Sequence, residues 1–191
     1  MRTLYHVPLV HSSEELGSLK DWALAQRIRQ YGSDGAQAFT QSVHEYWQEV
    51  ERRIEKKFSD VKTVKGLHVF VDSMPDTHDE LIRRIISELA GKNISLYATV
   101  EKLMHCGAHV HATEDLSLLL AERAYWQRVA AGQPRDLDKE AALLVGRDNY
   151  IARCIDASLP QDGIGLLFLG QLHNIHGALE RQSIRCTVVD L

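Results

Sequence analysis

The sequence lacks most of the features that would fix a function at once. Its three cysteines, Cys106, Cys154 and Cys186, are odd in number, widely spaced and contain no CxxC pair. That excludes a disulfide framework and suits a reducing interior, where cysteine serves as a small apolar residue. There is no basic excess: the formal net charge is -4 and the pI is near 6.2, which argues against a nucleic-acid partner. The opening stretch MRTLYHVPLVHSSEE has no apolar h-region. The longest apolar run, IGLLFLG, is far short of a membrane span. A cytoplasmic protein without a membrane partner is the expectation. Neither a GxSxG serine-nucleophile motif nor a Gly-rich phosphate loop is present, which removes two common α/β activities. Internal repeats, low-complexity tracts and linkers are missing as well.

What is present is an ordinary globular composition, 45% hydrophobic and 25% charged over 191 residues, enough for one domain with a sizeable core. Five stretches rich in Val, Ile and Leu read as strands: 4–10, 67–71, 108–112, 164–169 and 184–189. Helical patterns lie between them, over 20–58 with a break at GSDG, 79–89, 94–104, 116–130, 136–157 and 172–181. In the first of these, Val43, Trp47, Val50 and Ile54 step by four, three and four, the spacing of a buried helix stripe. Gly107 reads as a helix terminator. Alternating strands and helices with long crossovers predict a single α/β domain, with a mainly parallel sheet of four or five strands and helices on both faces.

Open parallel sheets bind ligands at the carboxyl ends of their strands, and four strands here end in ionisable groups. Strand one ends at His11, strand two at Asp72, strand three near Glu114, and strand four at Gly170 with His173 three residues on. Neighbouring strands are about 4.8 Å apart, so these side chains are expected to converge on one crevice. Two imidazoles and two carboxylates suit a divalent-metal site or metal-free acid/base hydrolysis. Asp72 and Glu114 read equally well as caps of the helices that follow; histidine is not a favoured cap, so His11 and His173 weigh more. Arg147, in GRDN, is expected to point into the crevice and pair with a carboxylate or an anionic ligand. Gly170 is expected to allow a sharp turn, with His173 in the first turn of the next helix and His176 i+3 from it, less buried and supportive at most. His109 and His111 alternate on one strand face and favour hydrogen-bonded core histidines. His6, His44, His68, His78 and His105 show no metal-ligand spacing.

The segment GRDNYIARCIDASLPQDGIGLLFLGQLHNIHGALERQSIRCTVVDL resembles the closing part of the TraB/Tiki/ChaN/erythromycin-esterase superfamily. The resemblance rests on Arg147 and Asp148 opening a helix segment, the strand 165–169, Gly-x-x-His at Gly170 to His173, and Leu179 at the helix end. The family's first strand also ends in Gly-x-x-His; here His11 is kept and Pro8 stands in place of the glycine. Asp72 takes the position of a family glutamate, and Glu114 the acid after the third strand. About half of the chain is covered clearly. The resemblance implies metal-dependent peptidase activity as in Tiki-like members, ester or lactone hydrolysis as in the esterases, or haem binding as in ChaN.

The leading expectation is a hydrolase acting on an ester, lactone or peptide bond, with His11, Asp72, Glu114, Arg147 and His173 as its site. In a metal version His11, Asp72, Glu114 and His173 are the candidate ligands of a divalent ion. In a metal-free version a histidine is the base and Arg147 stabilises an oxyanion. The partner is then a small-molecule or peptide substrate, and a homo-oligomer stays open. A non-catalytic binder of a small ligand, haem or metal in the same crevice is the rival reading. A partner-binding regulatory domain is the third.

Overall fold

A computed structural model describes residues 1–10, 14–59 and 64–191, of which 14–16 by backbone only. In chain order its elements are β1 (Thr3–Leu9), a 3-10 segment (Glu14–Leu19), α1 (Lys20–Lys57), β2 (Leu67–Pro75), α2 (Asp79–Ala90) and α3 (Ser95–His105). There follow β3 (His109–Glu114), α4 (Leu116–Ala130), α5 (Leu137–Ser158), β4 (Ile164–Gly170), α6 (Ile175–Arg181) and β5 (Thr187–Asp190). The strands form one all-parallel sheet in the order β3-β2-β4-β1-β5. This is the α/β architecture that the strand–helix alternation predicts. Among the described residues no helix is long and apolar enough to cross a membrane.

Side chains alternate across the strands and divide the core in two. Leu67, Val69 and Val71 of β2 and Leu166 and Phe168 of β4 pack with Val43, Trp47, Val50 and Ile54 of α1 and with residues of α2 and α3. On the opposite face Leu4, Phe70, Leu167 and Leu169 pack with Ile151, Ala152 and Ile155 of α5 and with α6. Direction of travel explains the division. Connections that move toward β3 (α1, then α2 and α3) lie on one face, and those that move back toward β5 (α5, then α6) on the other, the outcome of a constant crossover hand. The chain therefore leaves β2 and its neighbour β4 for opposite faces, which opens a crevice between their carboxyl ends.

Helix α1 carries its break at Gly32, whose φ of 74° is accessible to glycine without strain. At the end of α3, Gly107 (φ 100°) lets the Ala108 amide donate back to the Leu103 carbonyl at 3.0 Å. Two expected boundaries are corrected. Helix α6 starts at Ile175 rather than 172, because Asn174 caps it by accepting from the Gly177 amide. Strand β5 starts at Thr187 rather than 184, because the Ile184 amide is spent closing that helix on the Leu179 carbonyl at 2.9 Å.

Candidate functional site

The site begins with an irregularity in β2. Its register with β3 shifts between Val71 and Pro75, and Ser73 sits at φ 61°, uncommon for a residue with a Cβ. The Val71 carbonyl accepts from the Thr113 hydroxyl at 2.6 Å, and the Asp76 amide donates to the Glu114 carbonyl at 2.8 Å. The strand ends are thereby held together, with Asp72 3% and Glu114 0% exposed. Neither residue caps a helix: Asp115 caps α4, accepting from the Ser117 and Leu118 amides.

Two buried carboxylates side by side are unfavourable without a cation, and Arg147 of α5, itself 5% exposed, supplies one. Its Nε donates to Glu114 Oε2 at 3.1 Å, Nη2 to Glu114 Oε1 at 2.5 Å and to Asp72 Oδ1 at 2.7 Å, and Nη1 to Glu122 Oε2 at 2.5 Å. Those four bonds use four of the five guanidinium N–H donors. Gly146, just before it, has open space only to the Leu118 side chain of α4, 3.4 Å from where a Cβ would stand. Its smallness brings α4, and with it Glu122, close to the arginine. Burial pushes the Asp72 carboxyl up, but Arg147, His173 and the Gly170 amide outweigh it and hold it below its ordinary value. For Glu114 burial prevails over Arg147, and the nearby Asp72 charge adds to it, so its carboxyl is raised.

The second half of the site is an imidazole held by a carboxylate. Asp148, next to Arg147 in α5, lies with Oδ1 2.6 Å from His173 Nδ1, and its Oδ2 accepts from the Asn174 amide at 3.0 Å. With Nδ1–H donated to the carboxylate, the neutral form of the ring presents the Nε2 lone pair. That nitrogen is 3.8 Å from Asp72 Oδ2, too far for a direct hydrogen bond. His173 stands in the turn before α6, next to its N-cap Asn174, and not in the first helical turn. His176 is exposed.

Gly170 is also required for a reason other than the one expected. It has no positive φ. Its amide donates to Asp72 Oδ2 at 3.1 Å, and a Cβ there would stand 3.3 Å from that oxygen and 3.4 Å from His173 Cδ2. The residue is small because carboxylate and imidazole both press on it.

These groups open onto a cleft of about 510 Å³, whose walls include Asp72, Arg147 and His173. Leu119, Trp126, Leu144 and Leu172, the last 81% exposed, add apolar lining beside Glu122 and Arg123. Of the five expected site residues, Asp72, Glu114, Arg147 and His173 are brought together, while His11 lies outside the described residues. Sequence reading missed Glu122, which carries no signal beyond being one more acid on a helix. It also missed Asp148 as the partner of His173, although Asp148 stands in the Arg-Asp pair already singled out. Compared with family models, with curated proteins and with solved structures, the chain matches none.

Proposed function

We propose that the crevice is a hydrolytic site in which His173, oriented by Asp148, is the general base toward an ester, lactone or peptide bond. The observation that supports this most directly is the 2.6 Å Asp148–His173 pair, which leaves Nε2 unpaired at the wall of the cleft. An imidazole so fixed takes a proton from water as the water attacks a carbonyl and returns it to the leaving group. Arg147 is committed to three carboxylates, so its role is to hold Asp72 and Glu114 in place, with one N–H left for a substrate oxygen.

A divalent ion is compatible with these groups. Three carboxylates face a single guanidinium, and His173 Nε2 and Asp72 Oδ2 are separated by a distance that two ligands of one ion can span. His173 and Asp72 would hold the ion, and Asp148 would act as the outer carboxylate on the histidine. Such an ion would lower the pKa of a bound water toward neutrality.

The test is a panel of ester, lactone and peptide substrates given to the wild type and to His173→Ala, with and without chelator. Turnover that disappears in the variant supports the reading; turnover unaffected by the substitution removes it. The apolar side chains on the cleft, exposed Leu172 and half-buried Trp126 among them, favour the rival, a binder of a partly apolar small ligand. Saturable binding without turnover in the same panel would select that reading.

A further inference from the structure

A second cluster of ionisable side chains lies at the opposite end of β2. His68 of β2 pairs in register with His109 of β3, and Phe70 with His111, so all four rings stand on one face of two adjacent strands. The His68 ring lies between the other two imidazoles, with centroid distances of 5.2 Å to His109 and 5.1 Å to His111. The His111 ring in turn stacks on Phe70 at 5.0 Å. His68 Nδ1 and His111 Nε2 face one another at 2.9 Å. His109 and His111 line a small cavity of about 90 Å³ at the sheet edge, together with Asp79 and Arg83.

We propose that His68 and His111, joined by His109, form a binding site for a borderline divalent transition-metal ion such as Zn²⁺ or Cu²⁺. A tetrahedral ion with metal–nitrogen bonds of about 2.0–2.1 Å sets its ligand nitrogens about 3.3 Å apart. To meet that spacing the pair at 2.9 Å has to open by about 0.4 Å, and the near-parallel rings have to tilt so that both lone pairs converge on the ion. The proton between the two nitrogens moves to the far nitrogen of its own ring, so both lone pairs become available without a change in charge. Among the described residues no three His, Cys, Asp or Glu groups already converge as a metal set. His109 is exposed and therefore has room to turn its ring toward the pair. Asp79 and Arg83 bring one charge of each sign to the cavity lining. Imidazole ligands select Zn²⁺ and Cu²⁺ over hard oxygen-seeking ions. The site is independent of the hydrolytic reading, because His68 precedes Asp72 by four residues of extended strand, about 13 Å.

Isothermal titration with Zn²⁺, after chelator treatment and dialysis, tests the proposal in wild type, His173→Ala, His68→Phe, His111→Phe and His109→Asn. We expect Zn²⁺ binding that survives His173→Ala and weakens at least tenfold in His68→Phe and His111→Phe. Phe keeps the ring stack in those variants, and circular dichroism checks their fold. Should either fail to fold, His109→Asn, at an exposed position, is expected to weaken binding several-fold on its own. Cu²⁺ bound to the His173→Ala protein is expected to show nitrogen superhyperfine splitting in its electron paramagnetic resonance spectrum. The proposal is overturned if Zn²⁺ does not bind up to millimolar concentration, if His173→Ala abolishes all binding, or if the histidine substitutions on β2 and β3 leave the affinity unchanged.

Discussion

Asp148 accepts from both the side chain of His173 and the backbone of Asn174, so one carboxylate fixes the imidazole and the turn that carries it. Asp148→Asn keeps the shape but presents an amide to Nδ1, which no longer favours the tautomer with a free Nε2. Removal of a positioned base costs on the order of 10²–10⁴ in rate. His173→Ala is expected to show a loss in that range, and Asp148→Asn a substantial part of it, read as kcat/KM on whichever substrate the panel finds. His176→Ala is expected to change the rate less than about twofold. Equal losses at His173 and His176 would count against the site.

Arg147 pairs with Asp72, Glu114 and Glu122 at once. Arg147→Met leaves buried carboxylates unpaired, an effect of about 3–5 kcal/mol when one partner of a buried pair is removed. Arg147→Lys keeps the charge and loses the fork, so it should fall between Met and wild type. Denaturant melts measure this; a Met variant as stable as the wild type would show that the carboxylates are protonated or wet.

Gly170→Ala should affect the site more than the fold. The added methyl would press on Asp72 Oδ2 and His173 Cδ2 at 3.3 and 3.4 Å, while the backbone φ tolerates alanine. The expected result is a larger change in turnover or ligand affinity than in melting temperature. Gly165→Ala is the contrast, with its Cβ 2.6 Å from Leu4 Cδ1 in the core. Overpacking of that kind destabilises by about 1–3 kcal/mol.

Burial, with the neighbouring His68 and His109, lowers the His111 imidazole from 6.5 to about 4. Between those two values the unfolded chain holds a proton that the folded one refuses, so stability falls as the pH drops from about 6.5 to 4. His68 is lowered by burial and by the His109 charge and acts in the same direction. Urea midpoints recorded in chelator across that window should decline with acid, and His111→Phe should flatten the decline. An unchanged slope in the variant would assign the acid sensitivity to other groups.

The sequence made the sheet legible because Leu67 to Val71 and Ile164 to Leu169 are continuous apolar runs, as strands buried on both faces must be. It also made Asp72 and His173 legible, since the first directly follows such a run and the second comes within four residues of one. Other features depend on pairing. Nothing local says that β2 lies beside β4, so the approach of Asp72 to Gly170 could be expected only in outline. His68 looked isolated for the same reason: its neighbours His109 and His111 are more than forty positions away and meet it through strand register. The Ser73 backbone and the bulge around it follow from how β2 is held by β3, which local pattern does not encode.

Arg147 and Asp148 are consecutive residues on one helix, yet they serve opposite sides of the crevice. The first reaches the ends of β2 and β3, the second the turn after β4. A slide or rotation of α5 by a fraction of a turn would displace both partners together. Substitutions at Ile151 or Ile155, which seat that helix on the sheet without touching the crevice, would therefore disturb charge pairing and imidazole alignment as a single unit. Side chains can be changed in either half alone, but any shift of this one helix moves both halves together.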